Sequence, residues 1–462
     1  MLNNKICIIG LGYVGFPLAS LTAIKEFDVV GFDINKSIIE KINSGQSHIR
    51  DLEVEALFYE ALETNRFIAT SEISDASDCT HFIICVPTPV DENNDPDLLP
   101  LYTSIDMIAS LIKKNDLVVI ESTVFPGTCE DEIIPRLNSL TNMNEGDDYY
   151  LAHCPERVNP GDDFWTSRNI PRVVGSNSTI GLNKASEFYN SIMGGGIYDV
   201  RDIKQYNTPK FSLDSNGDLK ISTIPLGSIT KMHSIRDAEA VKAMENTVRD
   251  VNIAFVNELA KISDVLNLDV LDVIDGMSTK PFGKGPFYPG IGVGGHCIAV
   301  DPEWLRMASQ KAGYIPEMIQ LSRATNNEMP KYAIDLLQSL LNEVKLPIKG
   351  TNVLILGVAY KRDVDDNRES PFYKVRQLLN SKGAKLDIYD SWFQTENTIE
   401  NLKDGLNKAQ AIVVITDHSD IVKELQMTNF SQLPVKVIID GRNCLKKEDM
   451  VNQGVLYSGI GR

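Results

Sequence analysis

The sequence predicts an α/β protein with two doubly wound domains that are joined by a long central helix and a helical linker domain. Three observations support this class. Short apolar runs alternate with helical patterns in the first part of the chain, helical periodicity then continues without a break around residue 250, and short apolar runs return after residue 350. Strands that alternate with helices are typical of parallel sheets covered on both faces. The expected domains are 1–200, an inserted hairpin-like segment at 201–235, 236–330 and 331–462.

Composition narrows the functional class. The chain has 462 residues, a net charge of −18 and 43% hydrophobic residues, which is ordinary for a globular protein of two or three domains. The negative charge argues against nucleic acid or an anionic membrane as the main partner. No stretch is apolar enough to span a membrane, and the first strand begins at Lys5 without a signal peptide. A cytoplasmic protein is therefore expected.

Cysteine and histidine usage agrees with this expectation. The seven cysteines include no repeated Cys-x-x-Cys pattern, which indicates free thiols in a reducing compartment. The six histidines are scattered without the spacing of metal ligands, so the sequence predicts no metal site.

The N-terminal stretch carries a dinucleotide-binding pattern. Lys5–Ile9 is a short apolar run, Gly10-Leu11-Gly12-Tyr13-Val14-Gly15 follows it, and Asp28–Phe32 is the next predicted strand, with Asp33 at its end. In a G-x-G-x-x-G turn the first glycine bends the chain, the second admits the pyrophosphate and the third packs the helix against the strand. Asp33 would accept a ribose 2′-OH and repel a 2′-phosphate. The pattern predicts a Rossmann-like domain that binds NAD rather than NADP.

Three further predicted strands end in polar turns. The strands are expected at 81–86, 117–121 and 149–153, and the turns after them contain Pro87-Thr88-Pro89, Ser122-Thr123-Val124-Phe125-Pro126-Gly127 and Cys154-Pro155-Glu156-Arg157. Ligands of parallel α/β sheets bind at the carboxyl ends of the strands, so these turns are candidate site loops. Ordinary turn chemistry is the simpler account of any one of them taken alone.

The segment 198–234 interrupts this alternation. Residues 211–214 and 219–222 flank Ser215-Asn216-Gly217-Asp218, which is a hairpin pattern. Residues 214–218 loosely resemble a calcium loop but lack the later glutamate and the flanking helices, so no calcium is expected. The segment could cap a site, contact a neighbouring molecule or decorate the surface, and we favour decoration.

Residues 236–280 show helical periodicity. A helix of about 28 residues would span about 42 Å, which favours a spine between domains or a dimer interface. Lys242 and Asn246 lie at i, i+4 on this helix, and Arg249 follows three residues later. Without further observations, a solvated helix face is the favoured explanation of these polar residues.

The stretch 286–302 combines dense glycine with one cysteine. It reads Pro-Phe-Tyr-Pro-Gly-Ile-Gly-Val-Gly-Gly-His-Cys-Ile-Ala-Val-Asp-Pro. Such glycine density lets bare backbone approach a ligand, and its N–H groups can point at an anion. A helix that starts near Cys297 would place Cys297 and Asp301 on one face. The alternative is a surface loop beside a buried structural thiol.

A second α/β pattern follows residue 349. Strands are predicted at 353–357, 385–389, 411–416 and 435–440, and a charged loop at 360–371 precedes a helix. This half lacks the full glycine fingerprint, so no second dinucleotide is expected there.

Together these stretches resemble the UDP-glucose/GDP-mannose dehydrogenase family, whose members include the UDP-sugar 6-dehydrogenases, over nearly the whole chain. The resemblance is carried by blocks in a fixed order: the glycine fingerprint, Val86-Pro87-Thr88-Pro89, Glu121-Ser122-Thr123 with Pro126-Gly127, residues 155–161, Ala238-Glu239 with Lys242 and Asn246, residues 292–302, and Tyr360-Lys361 with Asp366 and residues 368–371.

The resemblance implies a four-electron oxidation of a sugar C6 alcohol to a carboxylate with two NAD⁺. The first step gives an aldehyde, which needs a nucleophile before it can lose a second hydride. A Cys297 thiolate would form a thiohemiacetal, hydride loss would leave a thioester, and water would release the acid. Free cysteine has a pKa near ~8.5, so a nearby cation and loop amides would be needed to favour the thiolate.

The resemblance also implies roles for individual residues. Lys242 and Asn246 would stabilise the oxyanion and move protons, Asp301 would position Lys242 or activate water, and Glu156 with Thr123 would act through a bound water. The implied catalytic residues are Cys297, Lys242, Asn246, Asp301, Glu156 and Thr123. The implied dinucleotide-binding residues are Gly10, Gly12, Tyr13, Val14, Gly15, Asp33, Thr88, Thr123 and Arg368. The implied substrate-binding residues are Arg157, Val158, Lys242, Asn246, Arg249, Gly294, Tyr360 and Lys361.

The sugar is predicted from the residues beside the cysteine. His296 before Cys297, and Val300-Asp301 where the UDP-glucose branch usually carries Lys-Asp, are more similar to the N-acetylhexosamine branch. UDP-N-acetylmannosamine or UDP-N-acetylglucosamine is therefore expected, for surface polysaccharide precursors, with UDP-glucose as the alternative. Two rival functions remain open. They are a two-electron dehydrogenase or epimerase with a structural cysteine, and a non-catalytic nucleotide-sugar sensor.

The expected assembly is a homodimer or a higher homo-oligomer. Related N-acetylhexosamine enzymes often place an arginine upstream of the glycine loop for the neighbouring subunit's site. Residues 278–284 offer only lysines there, and lysine lacks the bidentate fork of arginine.

Overall fold

The structure is a computed structural model that describes residues 5–89, 96–158, 164–203, 210–213, 219–222, 225–280, 286–295 and 297–462. The chain divides into two compact units, Met1–Met244 and Glu245–Arg462. None of the helices in the described part of the chain combines the length and the apolar character that a membrane span requires.

The first unit is built on mostly parallel strands. Its strands are β1 (Lys5–Ile9), β2 (Asp28–Phe32), β3 (Phe67–Thr70), β4 (His81–Ile84), β5 (Leu117–Ile120), β6 (Tyr150–His153), β7 (Arg172–Ser176), β8 (Ile197–Asp199), β9 (Lys210–Leu213), β10 (Leu219–Ser222) and β11 (Ile229–Lys231). Its helices are α1 (Gly15–Ile24), α2 (Lys36–Asn43), α3 (Leu52–Thr64), α4 (Leu99–Ala109), α5 (Ile134–Thr141), α6 (Thr179–Met193) and α7 (Val200–Ile203).

The main sheet of this unit has the order β3-β2-β1-β4-β5-β6-β7-β11-β8. Its first six strands are parallel and follow the 3-2-1-4-5-6 order of dinucleotide-binding sheets. The predicted strands are confirmed: β1 and β2 have the expected bounds, and β4, β5 and β6 lie within the expected ranges. β7, which the sequence analysis did not predict, pairs antiparallel with β6.

The inserted segment is partly built into this sheet. β9 and β10 pair antiparallel, which confirms the predicted hairpin, and residues 214–218 between them lie outside the described part of the chain. β11 pairs parallel with both β7 and β8. The expectation that the segment 198–234 only decorates the surface is therefore wrong for its two ends, because β8 and β11 extend the main sheet.

The long central helix is α8 (Ile235–Leu266), which has 32 residues and contributes to both units. It ends where Asn267 adopts a φ of 55°, and α9 (Val270–Ser278) starts after Asp269, whose side chain accepts from the N–H of Leu271. The predicted helical stretch 236–280 is therefore two helices. An Asn in the left-handed region followed by an Asp cap is the local signal for the break.

The second unit carries a fully parallel sheet in the order β13-β12-β14-β15-β16. Its strands are β12 (Asn352–Leu356), β13 (Lys385–Tyr389), β14 (Ala411–Val414), β15 (Val437–Asp440) and β16 (Leu456–Gly459). Its further helices are α10 (Asp301–Lys311), α11 (Glu317–Glu343), α12 (Pro371–Ser381), α13 (Leu402–Leu406), α14 (Ser419–Met427) and α15 (Lys447–Asn452). The four predicted strands are confirmed, β12 with a shift of one residue, and β16 was not predicted.

Candidate functional site

The glycine fingerprint forms the turn between β1 and α1. Gly10 has a φ of +90°, and a Cβ there would lie 2.9 Å from the carbonyl oxygen of Cys85. A Cβ on Gly15 would lie 1.9 Å from the carbonyl oxygen of Gly10, so this glycine lets the helix pack on the strand. A Cβ on Gly12 would meet nothing within 4 Å. The turn therefore leaves open space at the position where a pyrophosphate would approach the backbone.

Asp33 is fixed at the carboxyl end of β2. One carboxylate oxygen accepts from the N–H of Leu11 at 2.8 Å, and the other accepts from the N–H of Asn35 at 2.8 Å. The carboxylate therefore lies beside the glycine turn, as a ribose-binding acid requires. Val14 is the residue before α1, and Tyr13 is exposed. These residues fit a bound NAD.

The turns after β4 and β5 are joined to each other. The Thr88 hydroxyl, which is buried, donates to the carbonyl oxygen of Thr123 at 2.8 Å. The Ser122 hydroxyl donates to the carbonyl oxygen of Val86 at 2.7 Å. The structure thus brings the two predicted loops together at the carboxyl edge of the sheet.

Glu156, after β6, is a buried carboxylate with three donors. One oxygen accepts from the N–H groups of Arg157 and Val158, at 2.6 and 2.8 Å, and the other accepts from Arg172 Nη2 at 2.7 Å. Burial alone would raise the pKa of Glu156, but Arg172, these amides and Lys242 outweigh burial and lower the pKa. Glu156 is therefore ionised at neutral pH, and it shares an electrostatic environment with Lys242.

Arg172 was missed by the sequence analysis. It opens β7, is completely buried, and its Nη1 donates to Glu121 at 3.0 Å while its Nη2 holds Glu156. Tyr189 also donates to Glu121, at 2.5 Å, and burial raises the pKa of Glu121. The guanidinium thus joins two glutamates from neighbouring turns. A charged residue at the start of a buried strand is the signal that could have revealed it.

His153 lies near the same carboxyl edge. Burial lowers its pKa to about 3, and Lys242 contributes in the same direction. His153 is therefore neutral at neutral pH. Lys242 is half-buried and lies on α8 one turn before Asn246.

In the second unit, Cys297 lies in the turn that leads into α10. Its carbonyl oxygen accepts from the N–H groups of Val300 and Asp301, at 3.1 and 2.8 Å, so Cys297 and Asp301 have the predicted helical spacing although α10 itself begins at Asp301. The Cys297 side chain is half-buried. The carboxylate of Asp301 is buried and accepts from Asn246 Nδ2 at 2.5 Å. The structure thus brings two predicted catalytic residues into direct contact beside the thiol-bearing turn.

The glycines before Cys297 pack against the loop that follows β12. A Cβ on Gly294 would lie 2.8 Å from the carbonyl oxygen of Glu369 and 2.8 Å from Cβ of Tyr360. A Cβ on Gly295 would meet the Tyr360 ring at 2.8 Å, and the N–H of Gly295 donates to the carbonyl oxygen of Arg368 at 3.0 Å. These two glycines therefore permit a close approach to protein, whereas the glycine pattern predicts an approach to ligand. His296 lies outside the described residues.

Arg368 forms an ion pair with Asp366, with 2.6 Å between Nη2 and Oδ2. Hydrogen bonding to Asp366 raises the pKa of Arg368, and the charge of a Cys297 thiolate acts in the same direction. Arg368 is therefore a paired cation whose backbone contacts the loop that carries Cys297.

Arg442 is a second residue that the sequence analysis missed. It follows β15, and its guanidinium donates to the carbonyl oxygens of Tyr360 and Ile415, at 3.0 and 2.9 Å. Lys361 is half-buried on the same loop as Tyr360. Three cations, Lys361, Arg368 and Arg442, thus belong to the loops at the carboxyl edge of this sheet, where a diphosphate would be neutralised. A cation directly after a parallel strand is the signal for Arg442.

Other predicted substrate residues are placed as follows. Arg157 is half-buried in the first unit and donates to the carbonyl oxygen of Pro171 at 2.9 Å, and Val158 is half-buried beside it. Arg249 is exposed on α8. Among the described residues no group of three His, Cys, Asp or Glu side chains is arranged to hold a metal ion.

The two units define a class of protein, namely an α/β enzyme with a dinucleotide-binding sheet in one unit and a half-buried free cysteine beside cationic loops in the other. Family models agree with this class. The NAD binding domain of the UDP-glucose/GDP-mannose dehydrogenase family matches residues 4–193, its central domain matches 236–328 and its UDP binding domain matches 354–447.

Individual proteins are similar along most of the chain. The UDP-N-acetyl-D-mannosamine dehydrogenase of Pyrococcus horikoshii is 34% identical over 459 residues, which cover 99% of each chain. The UDP-N-acetyl-D-glucosamine 6-dehydrogenase of Salmonella typhi is 36% identical over 392 residues, 85% of this chain and 83% of that protein. The solved structure of the Pyrococcus horikoshii UDP-D-ManNAc dehydrogenase has a TM-score of 0.86 at 34% identity and 99% coverage of both chains.

The chain belongs to the UDP-glucose/GDP-mannose dehydrogenase family. It is an oxidoreductase that acts on a CH–OH group of a nucleotide sugar and uses NAD.

Proposed function

We propose that this protein oxidises the C6 alcohol of a UDP-N-acetylhexosamine, UDP-ManNAc or UDP-GlcNAc, to the uronate in a four-electron reaction, and so supplies precursors of surface polysaccharides. The observation that carries this proposal is the contact between Asn246 and Asp301 at 2.5 Å, one helical turn from Cys297. The names of the similar proteins from Pyrococcus horikoshii and Salmonella typhi support the substrate class.

The first unit holds the cofactor. The turn at Gly10, Gly12 and Gly15 would take the pyrophosphate, and Asp33 would accept the ribose hydroxyls. Bound NAD supplies a hydride acceptor. Two backbone amides hold the Asp33 carboxylate in place. Its negative charge would repel a 2′-phosphate at that position.

Cys297 is the nucleophile in the second oxidation. Its sulfur adds to the aldehyde carbon, and the carbonyl oxygen takes a proton to give a thiohemiacetal. Loss of a hydride from that carbon and of a proton from the hydroxyl oxygen leaves a thioester, and water then cleaves the C–S bond to regenerate the thiol and release the acid. Arg368 would favour the thiolate, since its positive charge interacts with the sulfur.

The polar residues divide into oxyanion donors and water-orienting acceptors. Lys242 and Asn246, one helical turn apart, would stabilise the negative oxygen that forms in each addition step. Glu156 would orient the hydrolytic water together with Thr123. Because its pKa is lowered, Glu156 is a weak base but a permanent hydrogen-bond acceptor at neutral pH. Asp301 would act beside Cys297, with its orientation fixed by Asn246.

The nucleotide end of the substrate is assigned to the cationic loops of the second unit and to the predicted contacts Arg157, Val158, Arg249 and Gly294. Tyr360, Lys361 and Arg442 offer stacking surface and positive charge. Arg368 remains the predicted dinucleotide contact from this unit.

The test is NADH release with UDP-glucose, UDP-GlcNAc, UDP-ManNAc and UDP-GalNAc as separate substrates. We expect about two NADH per sugar with UDP-ManNAc or UDP-GlcNAc, and an acid product. One NADH per sugar would favour a two-electron dehydrogenase. Release of no NADH, together with conversion of the sugar to another isomer, would favour an epimerase. Turnover of UDP-glucose alone would make the protein a UDP-glucose 6-dehydrogenase. Binding of NAD and UDP-sugar without turnover of any of them would make it a sensor.

A homodimer is part of the proposal. α8 exposes apolar side chains at intervals of seven residues, with Val248, Phe255 and Ile262 exposed by 51%, 56% and 44%. Such a stripe matches the seam of two packed helices. Sedimentation of the full chain measures the assembly, and a monomer at micromolar concentration would contradict it.

A further inference from the structure

Three polar side chains lie on one face of α8 within the second unit. Asn246, Asp250 and Asn257 are four and seven residues apart, which places them within about 40° of each other around the helix axis. Asp250 and Asn257 are completely buried. Buried amides and carboxylates are costly unless they are hydrogen-bonded, so this face must be matched by polar partners.

The partners form a continuous chain of hydrogen bonds. Asn257 Oδ1 accepts from the N–H of Gly290 at 2.9 Å, and its Nδ2 donates to Asn326 Oδ1 at 2.9 Å. Asn326 Nδ2 donates to Asp250 Oδ1 at 2.8 Å, and Arg323 Nη1 donates to the same oxygen at 2.8 Å. Each amide uses both its donor and its acceptor, so the orientation of both is fixed.

This chain anchors the glycine loop at its first residue. Gly290 begins the loop, and a Cβ on Gly292 would lie 3.2 Å from the carbonyl oxygen of Asn326, so α11 also lies directly against it. At the other end, Asp301 is held by Asn246. The loop is therefore attached to one face of α8 at both ends, and Cys297 lies between the two attachments.

The geometry shows why the attachments matter. Asn246 and Asn257 are eleven residues apart on a helix, which is about 16 Å. The loop from Gly290 to Asp301 also advances eleven residues and could extend to about 36–40 Å. Without its anchors, a loop with four glycines would have wide conformational freedom.

We propose that Asn257 and Asn326 are positioning residues that hold the loop so that the Cys297 sulfur is fixed for attack. This inference rests on the proposed function, because it assigns Cys297 the nucleophilic role. The competing account is that the buried network only stabilises the fold. That account predicts a lower melting temperature with normal loop protection and normal turnover per folded molecule.

The experiment compares Asn257→Ala and Asn257→Asp with the control Asn252→Ala in the full chain. Asn252 is on the same helix, and its Nδ2 donates to the carbonyl oxygen of Val248, away from the network. The aspartate variant keeps the acceptor for Gly290 and loses the donor to Asn326, so it remains informative if the alanine variant fails to fold. The readouts are hydrogen exchange of the amides at 286–301, the rate of Cys297 alkylation by iodoacetamide, and kcat and KM for NAD.

We expect faster exchange and several-fold faster alkylation in both Asn257 variants, and a kcat lower by roughly 100-fold with an unchanged KM for NAD, as for a misplaced reacting group. The control should match the unmodified protein in every readout. Folded Asn257 variants with unchanged exchange and unchanged alkylation would overturn the proposal.

The two proposals can fail separately. If the unmodified protein turns over no UDP-sugar, the proposed function fails, while exchange and alkylation still report on the anchor. If turnover is normal in the Asn257 variants, the positioning role fails and the proposed function stands.

Discussion

The two glycine-rich loops of this protein have similar composition and different physical roles. In the loop at 10–15, Gly12 faces open space, so a missing side chain leaves room for a ligand. In the loop at 290–295, Gly294 and Gly295 lie against Tyr360 and Glu369, so missing side chains leave room for protein. Gly12 in the first loop therefore leaves room for a ligand, whereas Gly294 and Gly295 in the second loop are required by packing beside Cys297.

The largest effect is expected when the thiol of Cys297 in the second loop is removed. Cys297→Ser should lower formation of the acid by roughly 10³-fold or more, because the alcohol is a far weaker nucleophile than the thiolate. Mass spectrometry of the sugar product measures this effect, and Cys79→Ala is the matched control at a buried cysteine. Acid formation at the normal rate would contradict the nucleophilic role of Cys297 and would show that this cysteine is structural.

The turn at Glu156 extends the comparison, because it is stabilised by an ion pair with Arg172 and not by close packing of glycines. Arg172→Met should lower the free energy of unfolding by about 3–5 kcal/mol at neutral pH, since it leaves two buried carboxylates without their cation. Arg136→Met, which breaks the exposed pair with Asp106, should leave the free energy of unfolding nearly unchanged, because solvent screens that pair. Denaturant unfolding measures both.

The direction in which the stability of the Arg172→Met variant changes with pH is a further test of this ion-pair network. In the unmodified protein the pKa of Glu156 is lowered, so its contribution to stability is present above the ordinary value near 4.5 and is lost as the pH falls. The raised pKa of Glu121 acts in the opposite sense. Without Arg172, burial should raise both, so stability should fall as the pH rises from about 4.5 to neutral. A variant that becomes more stable over this range would contradict the assignment.

The next effect tests the open space in the first loop. Gly12→Ala should raise the KM for NAD by about 10–100-fold, because a methyl group would crowd the pyrophosphate, at about 1–3 kcal/mol. The melting temperature should change little, since a Cβ there meets no protein atom within 4 Å. A large loss of stability with a normal KM would show that this loop, too, is shaped by packing.

An effect of similar size is expected in the second loop, but on stability rather than on binding. Gly294→Ala should lower the free energy of unfolding by about 1–3 kcal/mol, because the methyl group would meet the carbonyl oxygen of Glu369 and Cβ of Tyr360, each at 2.8 Å. The KM for NAD should remain normal. Thermal unfolding and the KM for NAD should be measured for both variants in parallel. Gly12→Ala should change the KM and not the stability, and Gly294→Ala should change the stability and not the KM.

The first loop could be predicted almost completely from the sequence because its determinants are local. Gly10, Gly12, Gly15 and Asp33 lie within one β-α-β unit, and the turn that they form follows from their spacing alone. The strands β1, β2 and β13 were likewise predicted to the residue because each is a short apolar run between polar turns.

The remaining features depend on contacts between distant segments. Arg172 reaches Glu121 and Glu156 only because β7 pairs antiparallel with β6, and no local pattern gives that pairing. Tyr360 meets Gly295 from more than sixty residues away in the sequence. Asn257 and Asn326 read as ordinary polar residues on helices until α8 and α11 are seen to pack against the same loop. The contacts of such residues are specified by tertiary packing, which a single sequence does not expose.

The bond from the N–H of Leu11 to Asp33 has a consequence for cofactor engineering. The carboxylate that would exclude a 2′-phosphate also satisfies a backbone donor of a completely buried residue. A redesign for NADP that simply removes this charge with an apolar residue would leave the amide without an acceptor, at a cost of about 1–3 kcal/mol. A successful redesign must therefore supply a neutral acceptor at position 33, such as asparagine or serine, before it adds a cation for the phosphate.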